Sequence, residues 1–200
     1  MRLFLASRSP QRRAILKNLG FETVLLESPF TEIIPPLHPD PPSLARHVAE
    51  QKMAALPCRP AGSGILITAD TLVYQDCQLM GKPADEADAR RMLLLLSGVT
   101  HAVVTAICLQ DLDSGRQMTS AAVTEVEFDT LAPDLLANYL LSGEWRDKAG
   151  AYGIQGKAAL FVRGINGCYF NVVGFPVNLF YHLLKLLWGD PLPIFPASNQ

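Results

Sequence analysis

Paired cysteines, a surplus of positive charge and long apolar runs are all missing from this sequence. Its four cysteines, Cys58, Cys77, Cys108 and Cys168, stand far apart with no C-x-x-C spacing. That pattern supports neither a zinc site nor a disulfide framework, and it suits a reducing compartment. The 17 lysines and arginines are outnumbered by 19 aspartates and glutamates, for a formal net charge of −2. A general polyanion-binding surface is therefore not expected, nor is stable nucleic-acid binding, and any phosphate chemistry has to be local. No apolar run approaches the ~20 residues needed to span a bilayer. The run at Leu3 to Ala6 is also too short for a signal-peptide core. Together these absences describe a cytoplasmic chain without a membrane partner. Internal repeats and interdomain linkers are absent too.

What the chain does have is enough apolar material to order itself: 49% of its 200 residues are hydrophobic and 18% charged. It reads as one domain over residues 1–188, followed by a proline-rich tail, 189–200, expected to be mobile.

The most informative stretch is LFLASRSPQRRAIL, residues 3–16. An apolar run of strand type turns at Ser7-Arg8-Ser9 and enters a helix, with Ser9 as N-cap and Pro10 at the first helical position. Arg12 and Arg13 then fall in the first turn. A helix N-terminus already carries about half a positive charge, so cations there are unfavourable unless an anion joins them. Free N–H groups, the hydroxyls of Ser7 and Ser9 and two guanidinium groups make a phosphate site. A capped surface helix with solvated arginines is the alternative.

Further along, Gly20 ends the first helix and Thr23 to Leu26 reads as a second strand, so the two strands can form a parallel βαβ unit. A long proline-rich loop, residues 27–42, carries Glu32 as a candidate, or simply as a solvated glutamate. Ser43 is expected to cap a helix reaching about Leu56, with Lys52 on it, an exposed lysine unless context says otherwise. In GILITADTLVY, residues 64–74, Asp70 interrupts a β-rich buried run. A buried charge is costly unless paired or metal-bound, which favours a functional carboxylate over a turn residue. Gly81-Lys82-Pro83 turns the chain into an amphipathic helix from Asp85 to Leu96. Two long strands follow at 101–110 and 119–128, with Glu125 and Glu127 on a solvated face. The glycine-rich loop EWRDKAGAYGIQG, residues 144–156, has the backbone freedom to approach a ligand closely. Asn166-Gly167 predicts a hairpin between Leu160–Ile165 and Cys168–Val173, and Val177 to Trp188 a final amphipathic helix.

With LASRSPQRRAIL, ADTLV, GKP, MLLLLSGVTHAVVTA and DKAGAYGIQG followed by INGCYFNVVGFP, the chain resembles the Maf family of nucleoside triphosphate pyrophosphatases nearly end to end. DKAGAYGIQG resembles the branch acting on dTTP and UTP. The resemblance implies an α/β fold, a mixed twisted sheet with flanking helices and two lobes around a deep cleft, and a possible homodimer. It implies hydrolysis of a nucleoside triphosphate substrate to the monophosphate and diphosphate, a house-cleaning role in the nucleotide pool. It casts Asp70 as the base for the attacking water. Ser7, Arg12, Lys52 and Lys82 fall near the phosphates, with Arg13 as a further candidate. Glu32 with Asp70 would hold a divalent cation, Mg²⁺ or Mn²⁺, and base selection falls on Gln11, Thr71 and Gln155. Gln11 departs from the family, which has arginine directly after the Ser-Pro pair, and altered base discrimination is the expected consequence. A nucleotide-binding regulator of cell division or septum formation, with little or no catalysis, is the rival reading.

Overall fold

Strand β1 (Leu3–Leu5) is buried on both faces, as a short run of apolar residues at a sheet centre must be. The computed structural model describes residues 2–30, 35 and 37–189. In it β1 pairs in parallel with β2 (Thr23–Leu25) and with β3 (Ile65–Gln75). Helix α1 (Pro10–Asn18) joins β1 to β2, giving the expected βαβ unit. Its start follows the sequence rule: the Ser9 hydroxyl accepts from the Arg12 backbone N–H and Pro10 fills the first position.

From β3 onward the pairing turns antiparallel. The short β4 (Gln78–Met80) folds back on the far end of β3. β5 (Thr100–Asp111) pairs with β3, β6 (Gln117–Phe128) with β5, and β7 (Val162–Asn166) with β6. The result is a seven-stranded mixed sheet of order β2-β1-β3-β5-β6-β7 with β4 beside β3. Helices α2 (Pro41–Ala54), α3 (Glu86–Leu96), α4 (Pro133–Ser142), α5 (Tyr169–Val173) and α6 (Val177–Trp188) flank it.

The core divides along the long strands. One cluster joins Leu3, Ile67 and Leu109 to Phe175 and Phe180 on the α1 and α6 side; another sets Phe4, Leu66 and Val104 under α2. The third lies at the other end of β3, β5 and β6, where Val73, Val103 and Phe128 meet α3, α4, Tyr139 and Phe161. Each fully buried phenylalanine or leucine contributes about 2 kcal/mol. All four cysteines are free.

Two local expectations are corrected. Helix α2 is capped not by Ser43 but by Asp40, whose carboxylate accepts the Ser43 N–H at 3.0 Å; Pro41 and Pro42, which lack N–H groups, fit the first turn. The Asn166-Gly167 hairpin does not form. β7 ends at Asn166, Gly167 takes a positive φ of 131°, and residues 169–173 coil into α5. A Cβ at Gly167 would sit 2.8 Å from the Thr124 hydroxyl, and the Cys168 N–H donates to that same oxygen. Side-chain hydrogen bonding across β6 thus replaces the ladder a further strand would have made. Of the tail, only Gly189 lies within the described residues.

Candidate active site

On one edge β3 is paired by β5 from Ile65 to Tyr74. On the other, β1 covers residues 65–67 and β4 covers 73–75, leaving residues 68–72 outside both ladders. A backbone edge in this position needs partners. The Ala69 carbonyl finds two, accepting from Arg12 Nη1 at 2.9 Å and Lys52 Nζ at 3.3 Å. A cavity of about 800 Å³ opens at this gap.

Arg12 forms the first wall. Although it lies in the first turn of a surface helix, only 9% of it is exposed. Its guanidinium donates to Ser7 Oγ at 3.1 Å, Thr71 Oγ1 at 2.9 Å and the Gly174 carbonyl at 2.8 Å, besides Ala69. One planar fork thereby joins α1, the turn after β1, β3 and the segment after α5, which an ammonium could not span. Asp70, 2% exposed, points to the α2 side and accepts from Lys52 Nζ at 2.8 Å. Thr68 fixes that helix against β3 by donating to the Ala49 carbonyl at 2.6 Å, one turn before Lys52. A buried carboxylate is costly unless paired, and the Lys52 ammonium supplies such a pairing.

The second wall is the loop 144–156. Gly150 has a φ of 66°, and a Cβ there would lie 2.9 Å from Val73. Its N–H donates to the Gly81 carbonyl at 3.0 Å, tying the loop to the turn that carries Lys82. Tyr139 donates to the Ala151 carbonyl at 3.1 Å, and the Tyr152 hydroxyl meets His101 Nε2 at 2.8 Å. Burial pushes the His101 pKa down to about 4 and raises that of Tyr152, so a neutral pair holds the loop. His101 also stacks edge-on against Phe128 and Tyr152.

Six cations line the cavity, Arg8, Arg12, Lys52, Lys82, Arg146 and Lys148, against the carboxylates Asp70, Glu144 and Asp147. A chain of net charge −2 therefore gathers positive charge at one concave place, the arrangement that draws in a polyanion. Of the residues singled out from the sequence, Ser7, Gln11, Arg12, Lys52, Asp70, Thr71, Lys82 and Gln155 all line the cavity. Arg13 does not; two positions after Gln11 on α1, it faces outward and is exposed. Glu32 lies outside the described residues. Arg8 and Arg146 are lining cations that sequence pattern did not single out, since a lone arginine in a turn carries no periodic signal. Among the described residues no group of three or more His, Cys, Asp or Glu is placed to hold a metal ion, and no helix is long and apolar enough to cross a membrane.

Comparison with known proteins gives the chain a family and a set of relatives. A protein of Syntrophomonas wolfei named dTTP/UTP pyrophosphatase is 42% identical over 180 residues, spanning 90% of this chain and 94% of that protein. One of the same name from Thermococcus onnurineus is 42% identical over 187 residues, spanning 94% and 98%. The solved structure of the Staphylococcus aureus Ham1 protein has a similar fold, with a TM-score of 0.50 at 13% identity, covering 94% of this chain and all of that one (100%). The family profile described as Maf-like protein matches residues 2–187. With that match running from β1 to α6, and with relatives of this identity over most of its length, the chain belongs to the Maf-like protein family.

Proposed function

We propose that this protein hydrolyses dTTP and UTP between the α- and β-phosphates, releasing the nucleoside monophosphate and diphosphate. The observation that carries the reading is Asp70: a carboxylate 2% exposed, held at 2.8 Å by Lys52, lining a cavity that six cations also line. A pure binder of polyphosphate gains nothing from a carboxylate there, since like charges repel. A hydrolase gains a base for the attacking water. The relatives' shared name, dTTP/UTP pyrophosphatase, supports the same substrates.

In-line displacement at phosphorus needs positioning and charge neutralisation above all. Lys52, Lys82 and the neighbouring cations neutralise the triphosphate, Ser7 and Arg12 shape the turn at its edge, and Asp70 takes the proton of the water. Thr71, Gln155 and Gln11 also line the cavity, and in this reading they select the nucleobase. A divalent cation, Mg²⁺ or Mn²⁺, would share one or two carboxylates with substrate phosphates rather than sit in a cage of protein ligands. Asp70 would hold it, with Glu32 as the second carboxylate. When bound, such an ion supplies charge neutralisation and a more acidic water.

Diphosphate release from a panel of nucleoside triphosphates, with Mg²⁺ or Mn²⁺, tests the reading on the wild type and Asp70→Asn. The wild type is expected to turn over dTTP and UTP. The nearly isosteric asparagine keeps an acceptor for Lys52 and should lower the rate about 10³-fold, while nucleotide binding by the variant shows that its fold is kept. A wild type that turns over only purine nucleotides would keep the chemistry and make Gln11 the cause of altered selectivity, restored by Gln11→Arg. Binding without turnover would favour a regulator.

A further inference from the structure

A chain of hydroxyl groups runs from α5 into the cavity, and counting its protons fixes what it presents there. Asn171, fully buried, uses its side-chain amide on the middle of the sheet: Oδ1 accepts the Thr105 N–H at 3.0 Å, while Nδ2 donates to the Val103 carbonyl at 2.9 Å and to Thr124 Oγ1 at 3.0 Å. Because a backbone N–H can only donate and a carbonyl can only accept, the amide has one orientation. The Asn171 backbone carbonyl, also an acceptor only, takes the hydroxyl proton of Thr105 at 2.9 Å. Thr105 has no second hydroxyl proton. Its contact with Thr71 Oγ1, 2.9 Å away, therefore has Thr71 as donor. Thr71 in turn accepts from Arg12 Nη2 at 2.9 Å. One proton and one lone pair of Thr71 are thus committed, and a single lone pair remains on a residue that lines the cavity.

We infer that Thr105, held by Asn171, is a positioning residue that makes Thr71 an acceptor toward the cavity, so that the substrate must present an N–H there. This rests on the nucleotide reading above and sharpens it. Uracil and thymine carry a hydrogen on N3, whereas cytosine has a lone pair in that place, and two lone pairs facing one another repel. The fixed hydroxyl selects the imide pyrimidines over cytosine from a position that touches no substrate.

The test is the ratio of kcat/KM for UTP to that for CTP in the wild type, Thr105→Val and Thr105→Ser. Valine removes the acceptor of the Thr71 proton, which is then free to turn into the cavity and donate to cytosine N3. The ratio is expected to fall about tenfold, the usual scale of one hydrogen bond. Serine keeps the hydroxyl and should keep the ratio within about twofold. A folded, active Thr105→Val with the wild-type ratio would overturn the inference. If valine fails to fold, Thr71→Val decides: a larger loss with UTP than with CTP supports the acceptor role, and an equal loss removes it. Equilibrium binding of UTP and CTP to the same variants separates this inference from the reaction. A shifted binding ratio without turnover would sink the hydrolase reading and leave the selectivity standing.

Discussion

The two walls of the cavity are built by different means. The wall from residues 7–12 is held by one polar side chain: Arg12 reaches four separate acceptors, and each segment it touches is held by a donated hydrogen bond. The wall from residues 144–156 is set by backbone conformation and close packing, with hydrogen bonds at its backbone and Tyr152 anchoring it. Asp147, Gly150 and Ala151 all take positive φ values of 59°, 66° and 63°, and the loop is kept in place by close packing of Gly150 on Val73 and by a neutral His101–Tyr152 pair. Polar construction suits the side that must stay rigid next to charge, because a fixed guanidinium costs no reorganisation when an anion arrives. Close backbone packing suits a loop that has to come within backbone distance of a ligand. The contrast teaches where each wall is vulnerable: one to loss of a donor, the other to gain of a methyl group or a proton.

Replacing Arg12 by Met should have the largest effect on stability. It leaves the buried Gly174 carbonyl and the half-buried Thr71 hydroxyl without that donor, and a loss of about 4 kcal/mol is expected, read from urea unfolding. Arg12→Lys restores charge but not the fork. If it restored stability fully, the first wall would be held by charge alone.

The second wall should fail by protonation. His101 has its pKa depressed to about 4 from an ordinary 6.5. Between those values the unfolded chain binds a proton that the folded one refuses, so this contribution is complete above pH 6.5 and disappears as the pH falls toward 4. The loss amounts to about 3 kcal/mol, and the difference in urea midpoint between wild type and His101→Gln across that window measures it. Identical slopes for the two proteins would remove His101 from the account.

A methyl group is the smaller insult. Gly150→Ala meets both a positive φ and the Val73 side chain, and about 2 kcal/mol should be lost. Adding Val73→Ala should return part of it in a double-mutant cycle, because the two sites touch. Strict additivity would show that the backbone conformation, not the contact, carries the cost.

Much of the catalytic side is legible in the sequence alone. Asp70 inside an apolar run and the arginines in the first turn of α1 are local anomalies, residues whose type conflicts with the element around them, and the glycine-rich loop stands out by composition. A conflict of this kind is visible within a few positions. Arg12 and Arg13 are not separable in that way, because adjacent residues in the first turn look alike until the packing of β3 and the α5 segment decides which one is enclosed. The segment 168–173 misleads for a related reason. Its composition suits a strand, and only Thr124 and the sheet interior, over 40 residues away in sequence, provide the partners that make it a helix.

By itself, then, the sequence determined the kinds of most elements, the strand carrying Asp70, the cations available to a phosphate and the family to which the chain is related, since all of these follow from local pattern and from ordered motifs. Only the tertiary structure decided the gap on the edge of β3, the burial of Arg12, the exposure of Arg13 and the direction of the protons between Asn171 and Thr71. Each of these depends on contacts between segments far apart in the chain, and no local preference encodes which partner a buried donor will meet.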